Sequence, residues 1–375
     1  MDGVTDASFR AVIAQQGKPD ITLTEFTHVH DICRGPEALL ETLIYSEIER
    51  PVIAQVYGKD PALFYQAAHA VCELGFDGVD INMGCPSKNV ASSGSGAGLI
   101  RTPDLARDII QSTRRGLEDW AGGQTLEAVG FKPARIAALH RLNERRLGSR
   151  PIVRRLLPLS IKTRLGYESV TVESWIHHLL QERPAAISLH GRTLQQMYRG
   201  VADWDAIGRA ASLVKGTGTL LLGNGDVQTL EEIVRRVRES GADGVLVGRS
   251  VLGSPWFFKE KEQARALTSG DGTDVTKDIS IAQDMISLDQ RFITLLGHAR
   301  QFESLYGQRQ FHRMRKHLGW YCKAFPHAAA LRARMFRVSS VNELHGVIAD
   351  YRAHRINQSV SDPVDEAGTL TSRCS

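Results

Sequence analysis

Short runs of β-branched and aliphatic residues recur along the chain at 21–26, 52–57, 78–83, 159–164, 186–190, 220–224 and 244–248. Several end on a polar residue or a glycine just where a helical pattern begins, as the strands of a βα repeat do. Between them, 61–74, 103–117 and 230–239 carry apolar residues at helical spacing. The alternation predicts an α/β fold, a TIM (β/α)8 barrel of which seven strands are visible. The chain opens on a loop-like Met1-Asp2-Gly3-Val4-Thr5-Asp6, so the first strand is expected upstream of Met1. An open seven-stranded sheet is the competing arrangement, and it leaves exposed an edge that a barrel avoids.

Two stretches depart from the repeat. Residues 119–157 exceed an ordinary connection and hold a helical pattern over 134–146, after Pro133, so they read as an insertion in a barrel domain spanning 1–262. A polar, glycine-rich linker is expected over 263–280. Helical patterns at 281–299, 311–324 and 328–336 then make a small C-terminal helical domain, 281–356, and the polar tail, 357–375, reads as disordered.

Composition narrows the class. Of 375 residues 42% are hydrophobic and 23% charged, and no apolar stretch approaches the roughly 20 residues that span a bilayer. Five cysteines (33, 72, 85, 322, 374) match neither a disulfide framework nor a zinc spacing, so a reducing cytoplasm is expected. The net charge of +4 conceals an asymmetry. Residues 291–357 hold twelve Arg/Lys against three acids, leaving the remainder at −5. A second basic cluster, 132–155, has eight Arg/Lys and only Glu144 opposing them. Concentrated positive charge suits a polyanion better than a small neutral substrate.

The candidate chemistry collects at strand ends. Cys85 stands in Asp80-Ile81-Asn82-Met83-Gly84-Cys85-Pro86-Ser87, where a strand gives way to a turn, and α/β barrels keep their chemistry at that end. A buried cysteine acting as a small hydrophobe is the plain alternative. Gln55 and Lys162 lie near the ends of two other strands, and His190-Gly191-Arg192-Thr193 follows a third. Asn224-Gly225-Asp226 and Gly248-Arg249 close the last two, where barrel loops bind phosphate through backbone N–H groups. Gly223, Gly225 and Gly248 permit close approach there, and Arg249 adds charge. Lys162 inside an apolar run must reach a polar partner; a cation beside an electron-rich ring is one reading and a structural salt bridge the other. The glycine-rich 93–98 segment is expected to form a mobile shield over Cys85. His28 with His30, and His177 with His178, lack companions at metal-site spacing, so no metal is expected.

Taken together these segments resemble the tRNA-dihydrouridine synthases. The resembling motifs are Met1-Asp2-Gly3-Val4-Thr5-Asp6 with Phe9-Arg10, Gln55-Val56-Tyr57-Gly58, Asp80 to Pro86, Ser160 to Gly166, and His190-Gly191-Arg192-Thr193 through Ala202-Asp203-Trp204. Asn224-Gly225-Asp226, Val247-Gly248-Arg249 and Met314 to Tyr321 complete the set. The resemblance implies an FMN-containing barrel joined to a tRNA-binding helical domain, with NADPH as reductant; no membrane contact is expected from the hydropathy. It implies flavin contacts from Gln55, Lys162 and His190, and a phosphate end held by Asn224, Gly225, Asp226, Gly248 and Arg249. Cys85 becomes the general acid, with Asn82, Arg164 and Arg192 near the uridine and Arg313, Arg315 and Lys316 on the tRNA. A monomer is expected. The family's strand ending in Ala-Pro before the position of Met1 is absent, and the 119–157 insertion is longer than in its commoner members. The rivals are a free-pyrimidine FMN barrel of the dihydroorotate dehydrogenase kind, and a non-catalytic RNA-binding barrel.

Overall fold

Eight strands form one sheet in which every paired neighbour is parallel: β1 (Thr22–Leu23), β2 (Thr27–His28), β3 (Val52–Tyr57), β4 (Gly78–Asn82), β5 (Leu159–Arg164), β6 (Ala186–His190), β7 (Leu220–Asn224) and β8 (Gly244–Leu246). The structure, a computed structural model, describes residues 1–148, 151–269 and 286–361. Strand order is β1-β3-β4-β5-β6-β7-β8, with β2 also beside β3, and the crossovers carry helices. This is the α/β architecture of a TIM-type barrel. Among the described residues no pairing joins β8 to β1, so the strands follow an open path.

The run expected at 21–26 holds only the two-residue β1, and a second short strand, β2, begins just past it at Thr27. Thr24 lies between them, and its side-chain oxygen accepts the Gln55 N–H at 3.0 Å, so a hydroxyl takes over one backbone ladder bond. The other six runs lie where the pattern of residues puts them, because the helix-facing residues of each strand are apolar and β-branched or aliphatic.

Helices α1 (Ala7–Gln16), α2 (Val29–Cys33), α3 (Pro61–Glu73), α4 (Lys88–Ser92), α5 (Pro103–Ala121), α6 (Pro133–Leu147), α7 (Val172–Leu180), α8 (Trp204–Val214), α9 (Leu230–Ser240) and α10 (Lys261–Ser269) complete the first unit. Pro61 starts α3 at a position that needs no N–H, and the Asp60 carboxylate caps the helix by accepting from Ala62 and Leu63. Alternate residues of the strands, such as Val79, Ile81, Ile161 and Leu189, join Phe64, Ala68, Ile109, Ile176 and Ile207 from the helices in the main core. A second cluster sets Phe9 and Ile13 of α1 against Leu230 and Val234 of α9 and Phe257 and Ala264 near or on α10. The helical layer is therefore continuous between the two ends of the strand path.

Helix α10 occupies 261–269, where a linker was expected to begin at 263. Residues 270–285 lie outside the described residues, as does the tail from 362. The chain divides into two compact units, Met1–Met285 and Ile286–Ser375. The second contains α11 (Leu288–Tyr306), α12 (Arg315–Tyr321), α13 (Ala328–Met335) and α14 (Val341–Ser361). Its interior is aromatic: Phe292 meets Tyr351 edge-on at 5.6 Å and Phe302 meets Phe311 at 6.4 Å. No helix among the described residues is long and apolar enough to cross a membrane.

One buried ion pair ties α1 to the chain before β3. Arg10 Nε donates to Glu49 Oε2 at 2.7 Å, and the guanidinium also donates to the carbonyls of Thr5 and Ile44. Arg10→Met strands the Glu49 charge in the interior, and a loss of about 3–5 kcal/mol in unfolding free energy is expected. Urea unfolding checks this; a loss under about 1 kcal/mol would mean that the pair behaves like a solvated surface one.

Candidate active site

Strand register stacks polar side chains in rows inside the upper half of the barrel. Gln55 pairs with Asp80 and Asp80 with Ser160; Asn82 pairs with Lys162 and Lys162 with Ser188; Arg164 pairs with His190 and His190 with Asn224. Side chains alternate across a strand, so Asp80 and Asn82 face inward while Val79 and Ile81 join the helical core. Three successive polar rows are costly inside a sheet unless each group is satisfied or receives a ligand.

The lowest row is satisfied internally. Asp80 accepts from Gln55 Nε2 at 2.7 Å and from Ser160 Oγ at 2.7 Å. Burial pushes its carboxyl up to about 6, opposed by those two hydrogen bonds and by the Lys162 charge. Gln55 Oε1 accepts from Asn82 Nδ2 at 2.9 Å, and Asn82 Oδ1 accepts from the backbone N–H groups of Gly84 (3.0 Å) and Cys85 (2.9 Å). The carboxamide of Asn82 thus shapes the turn that carries the cysteine.

Cys85 is 8% exposed, and its thiol is raised above the ordinary range by burial. It therefore stays protonated at neutral pH, as a proton donor must. The 93–98 segment covers it. The Ala97 N–H donates to the Cys85 carbonyl at 3.4 Å, and a Cβ on Gly96, at φ +56°, would lie 2.9 Å from Val90 and 3.2 Å from Cys85 Cβ. The cover is built in part from a 3-10 helix, Gly96–Arg101, of which Gly96 to Leu99 are buried.

Lys162 and His190 have unusual acidities. Burial first, and then the nearby Arg164, push the Lys162 ammonium down to about 8. Burial and the charges of Lys162, Arg164, Arg192 and Arg249 push His190 down to about 2, so the imidazole is neutral. Among the described residues the Lys162 ammonium has no hydrogen-bond or ion-pair partner, so it is not the structural salt bridge that the sequence left open.

The glycines at the last two strands divide by what they touch. A Cβ on Gly223 would lie 2.4 Å from the Trp204 ring, so that glycine serves helix packing. Gly225 has φ +129°, and a Cβ there would meet Ala202 at 2.7 Å and the His190 ring at 3.2 Å. At Gly248 the first atom met is Met1 Sδ at 3.8 Å, which leaves room for a ligand to approach the backbone. Asn224 Nδ2 donates to the Leu246 carbonyl at 2.7 Å. The Asp226 carboxylate accepts from Arg192 (2.5 Å) and from the Ala202 N–H (2.7 Å) and lies 3.5 Å from Arg249. As an anion it gathers those two cations at the loop after β7.

The sequence model described as Dihydrouridine synthase (Dus) matches residues 1–119 and 152–357. The chain belongs to the dihydrouridine synthase family. The matched ranges leave out 120–151, most of the expected insertion. A "Probable tRNA-dihydrouridine synthase" of Staphylococcus aureus (strain COL) is 28% identical over 358 residues, covering 94% of this chain and 92% of that protein. A "Probable tRNA-dihydrouridine synthase 2" of Bacillus subtilis (strain 168) is 28% identical over 356 residues with the same coverage. The solved structure of a DHODH from Eimeria tenella with ferulenol overlays 63% of each chain at TM-score 0.41 and 15% identity, too slight a likeness to argue from.

Members of the dihydrouridine synthase family are flavin-dependent oxidoreductases, and the residues at this mouth fit a flavin. An unpartnered ammonium in the upper barrel suits the electron-rich end of the ring system. The open space at Gly248 beside Arg249 suits a phosphate. Gln55 retains one N–H beyond the bond to Asp80 for such a group.

Several arginines expected to meet RNA are occupied. Arg192 is buried, bonded to the carbonyls of Arg199 and Gly200 and to Asp226. Arg164 is buried too: it donates to Gly84 at 2.7 Å and to Thr193 and Met197 at 3.0 and 3.3 Å. It braces the cysteine turn against the loop after β6 rather than reaching outward. Arg315 Nε donates to the Val338 carbonyl at 2.8 Å, and Arg313 donates to Gln310 and lies 5.0 Å from the Tyr306 ring. Lys316 is half-buried, and Arg300, Arg309 and Arg337 have exposed side chains. Several cations of the 132–155 cluster are engaged within the protein, though Arg141, Arg154 and Arg155 remain exposed. Arg146 bonds Leu74 and lies over Tyr45, Arg141 pairs with Glu37, Arg155 with Asp77, and Arg154 lies over Trp120.

Two features escaped the reading of the residues. Asp80 and Ser160 were not singled out, although an acid at an alternating position inside an apolar strand is itself a signal. His28 and His30 do have a companion: they and Asp31 bring ligand atoms within 4.8 Å of one another. His28 Nδ1 already accepts the His30 N–H, and His30 Nδ1 lies 3.5 Å from Asp31, so the group has a local explanation.

Proposed function

We propose that this protein reduces the C5=C6 bond of uridine in tRNA, with FMN bound at the barrel mouth and NADPH as the source of electrons. The observation that carries the reading is the pairing of a protonated thiol turn with a free ammonium on adjoining strands. Lys162 is in register with Asn82, and the Met83 N–H donates to the Lys162 carbonyl at 2.7 Å. When bound, the reduced flavin supplies the hydride that C6 accepts, since C5=C6 is conjugated with the C4 carbonyl.

Cys85 then gives its proton to C5. Burial raises its pKa, which keeps the donor loaded at neutral pH. Lys162 offsets negative charge at the pyrimidine end of the flavin, and neutral His190 and Gln55 hydrogen-bond nearby without adding charge. Asn224, Gly225, Gly248 and Arg249 hold the phosphate end. Asn82 shapes the turn on which the uridine must dock, and the base must leave its stack to arrive there.

The helical unit docks the RNA backbone through its outward cations. Replacing Arg309 and Lys316 together by Gln is expected to weaken tRNA binding and to flatten its salt dependence by about 0.7–0.9 in log–log slope for each phosphate no longer neutralised. Filter binding across a salt series measures this; an unchanged slope assigns docking to other residues. The reading as a whole is tested by incubating the flavin-loaded protein with NADPH and unmodified tRNA. Dihydrouridine in the RNA, with no turnover of a free pyrimidine, is the expected result. Turnover of the free pyrimidine alone would overturn it.

A further inference from the structure

Asp80 is 1% exposed and carries a carboxylate into the barrel interior, where among the described residues it forms no ion pair. A neutral side chain would fill that place at lower desolvation cost. What a carboxylate provides, and an amide does not, is an acceptor with no donor. Because Asp80 only accepts, the Gln55 amide must turn its NH2 toward it, at 2.7 Å. Gln55 Oε1 is then left facing Asn82 and takes the Asn82 NH2 at 2.9 Å. Asn82 in turn can present only Oδ1 to the turn, where it receives the N–H groups of Gly84 and Cys85. Flipping either amide sets donor against donor or oxygen against carboxylate in a buried place.

We propose that Asp80 is a positioning residue, which sets the polarity of the Gln55 and Asn82 amides and through them the place of the Cys85 turn. This rests on the uridine-reducing reading for its effect on rate, but not for its effect on the thiol. Ser160, bonded to the other oxygen of Asp80, lies outside the relay, so it separates a signal passed to Cys85 from simple packing of the row.

The test compares Asp80→Asn and Ser160→Ala in the flavin-loaded full chain. Asparagine at 80 can offer either face, so the downstream amides lose their single orientation. At saturating tRNA, Asp80→Asn is expected to lower uridine reduction about tenfold or more, which corresponds to about 1.36 kcal/mol in the barrier. Flavin content and flavin reduction by NADPH should stay within about twofold of wild type, and Ser160→Ala within about threefold on every readout. Alkylation of Cys85 by iodoacetamide, followed by peptide mass spectrometry, reads the turn independently of activity. Its rate should change severalfold in Asp80→Asn and little in Ser160→Ala. Wild-type alkylation and turnover in Asp80→Asn would overturn the proposal, as would equal effects from both variants. If wild type itself reduces no tRNA, the functional reading fails, and the alkylation comparison still decides the role of Asp80. Should Asp80→Asn not fold, Gln55→Leu breaks the same relay one step on, and unaltered Cys85 alkylation there would equally count against it.

Discussion

Cys85→Ala is expected to leave a yellow, NADPH-reducible protein that reduces tRNA uridine about 10²–10⁴-fold more slowly. The thiol is the proton source for C5, and no other acid shares its turn: Asn82 is committed to two backbone N–H groups, and Arg164 to three carbonyls. Burial holds the thiol protonated, so its loss removes a donor that is loaded at every neutral pH. Stopped-flow absorbance follows flavin reduction, and nucleoside mass spectrometry follows dihydrouridine. Undiminished dihydrouridine formation would take the acid role from Cys85 and return it to the status of a buried small residue.

Lys162→Met keeps the length of the side chain and removes its charge. A fall of about 10²–10³-fold in uridine reduction is expected, the scale on which one preorganised charge group acts at a reacting centre. The sign of the pH dependence follows from the direction of the shift. Burial lowers the ammonium from the ordinary lysine value to about 8, so the group is charged below that pH and neutral above it. Wild-type turnover should therefore fall as pH rises through about 8, and a bound flavin anion moves that limb upward. The methionine variant should lack the limb altogether. A pH–rate profile of both proteins checks this; a wild-type profile that stays level to about pH 10, near the ordinary lysine value, or a variant that keeps the limb, would assign the charge elsewhere.

Strand runs were legible because alternate residues of each, such as Val79 and Ile81, must be apolar where they meet the helices, whatever faces the barrel interior. The segment at 21–26 misled for a local reason: a threonine hydroxyl took over a backbone bond and cut β1 short. Helix α14 escaped notice because polar residues are scattered through it without a clear stripe, and α10 because a polar, glycine-rich run begins at its end. The arginines show a different limit. Charge is visible in a residue name, but the partners of Arg164 lie 29 to 80 residues away and those of Arg192 include Asp226, 34 residues on. A guanidinium with five donors binds backbone carbonyls as readily as phosphate, and only its surroundings decide which.

The order of amino acids alone determined the repeat of parallel strands, the thiol at a strand's outlet, the glycine turns at the last strands and the cationic C-terminal helices. Each follows from short-range pattern, where periodicity and turn chemistry act between near neighbours. Only tertiary structure decided which cations stay free, which glycine leaves room for a ligand, and that Asp80, Gln55 and Asn82 form one directed chain ending at Cys85. Those outcomes depend on strand register, which brings residues 25 to 80 positions apart to hydrogen-bond distance, and on burial, which sets the protonation of the groups it encloses.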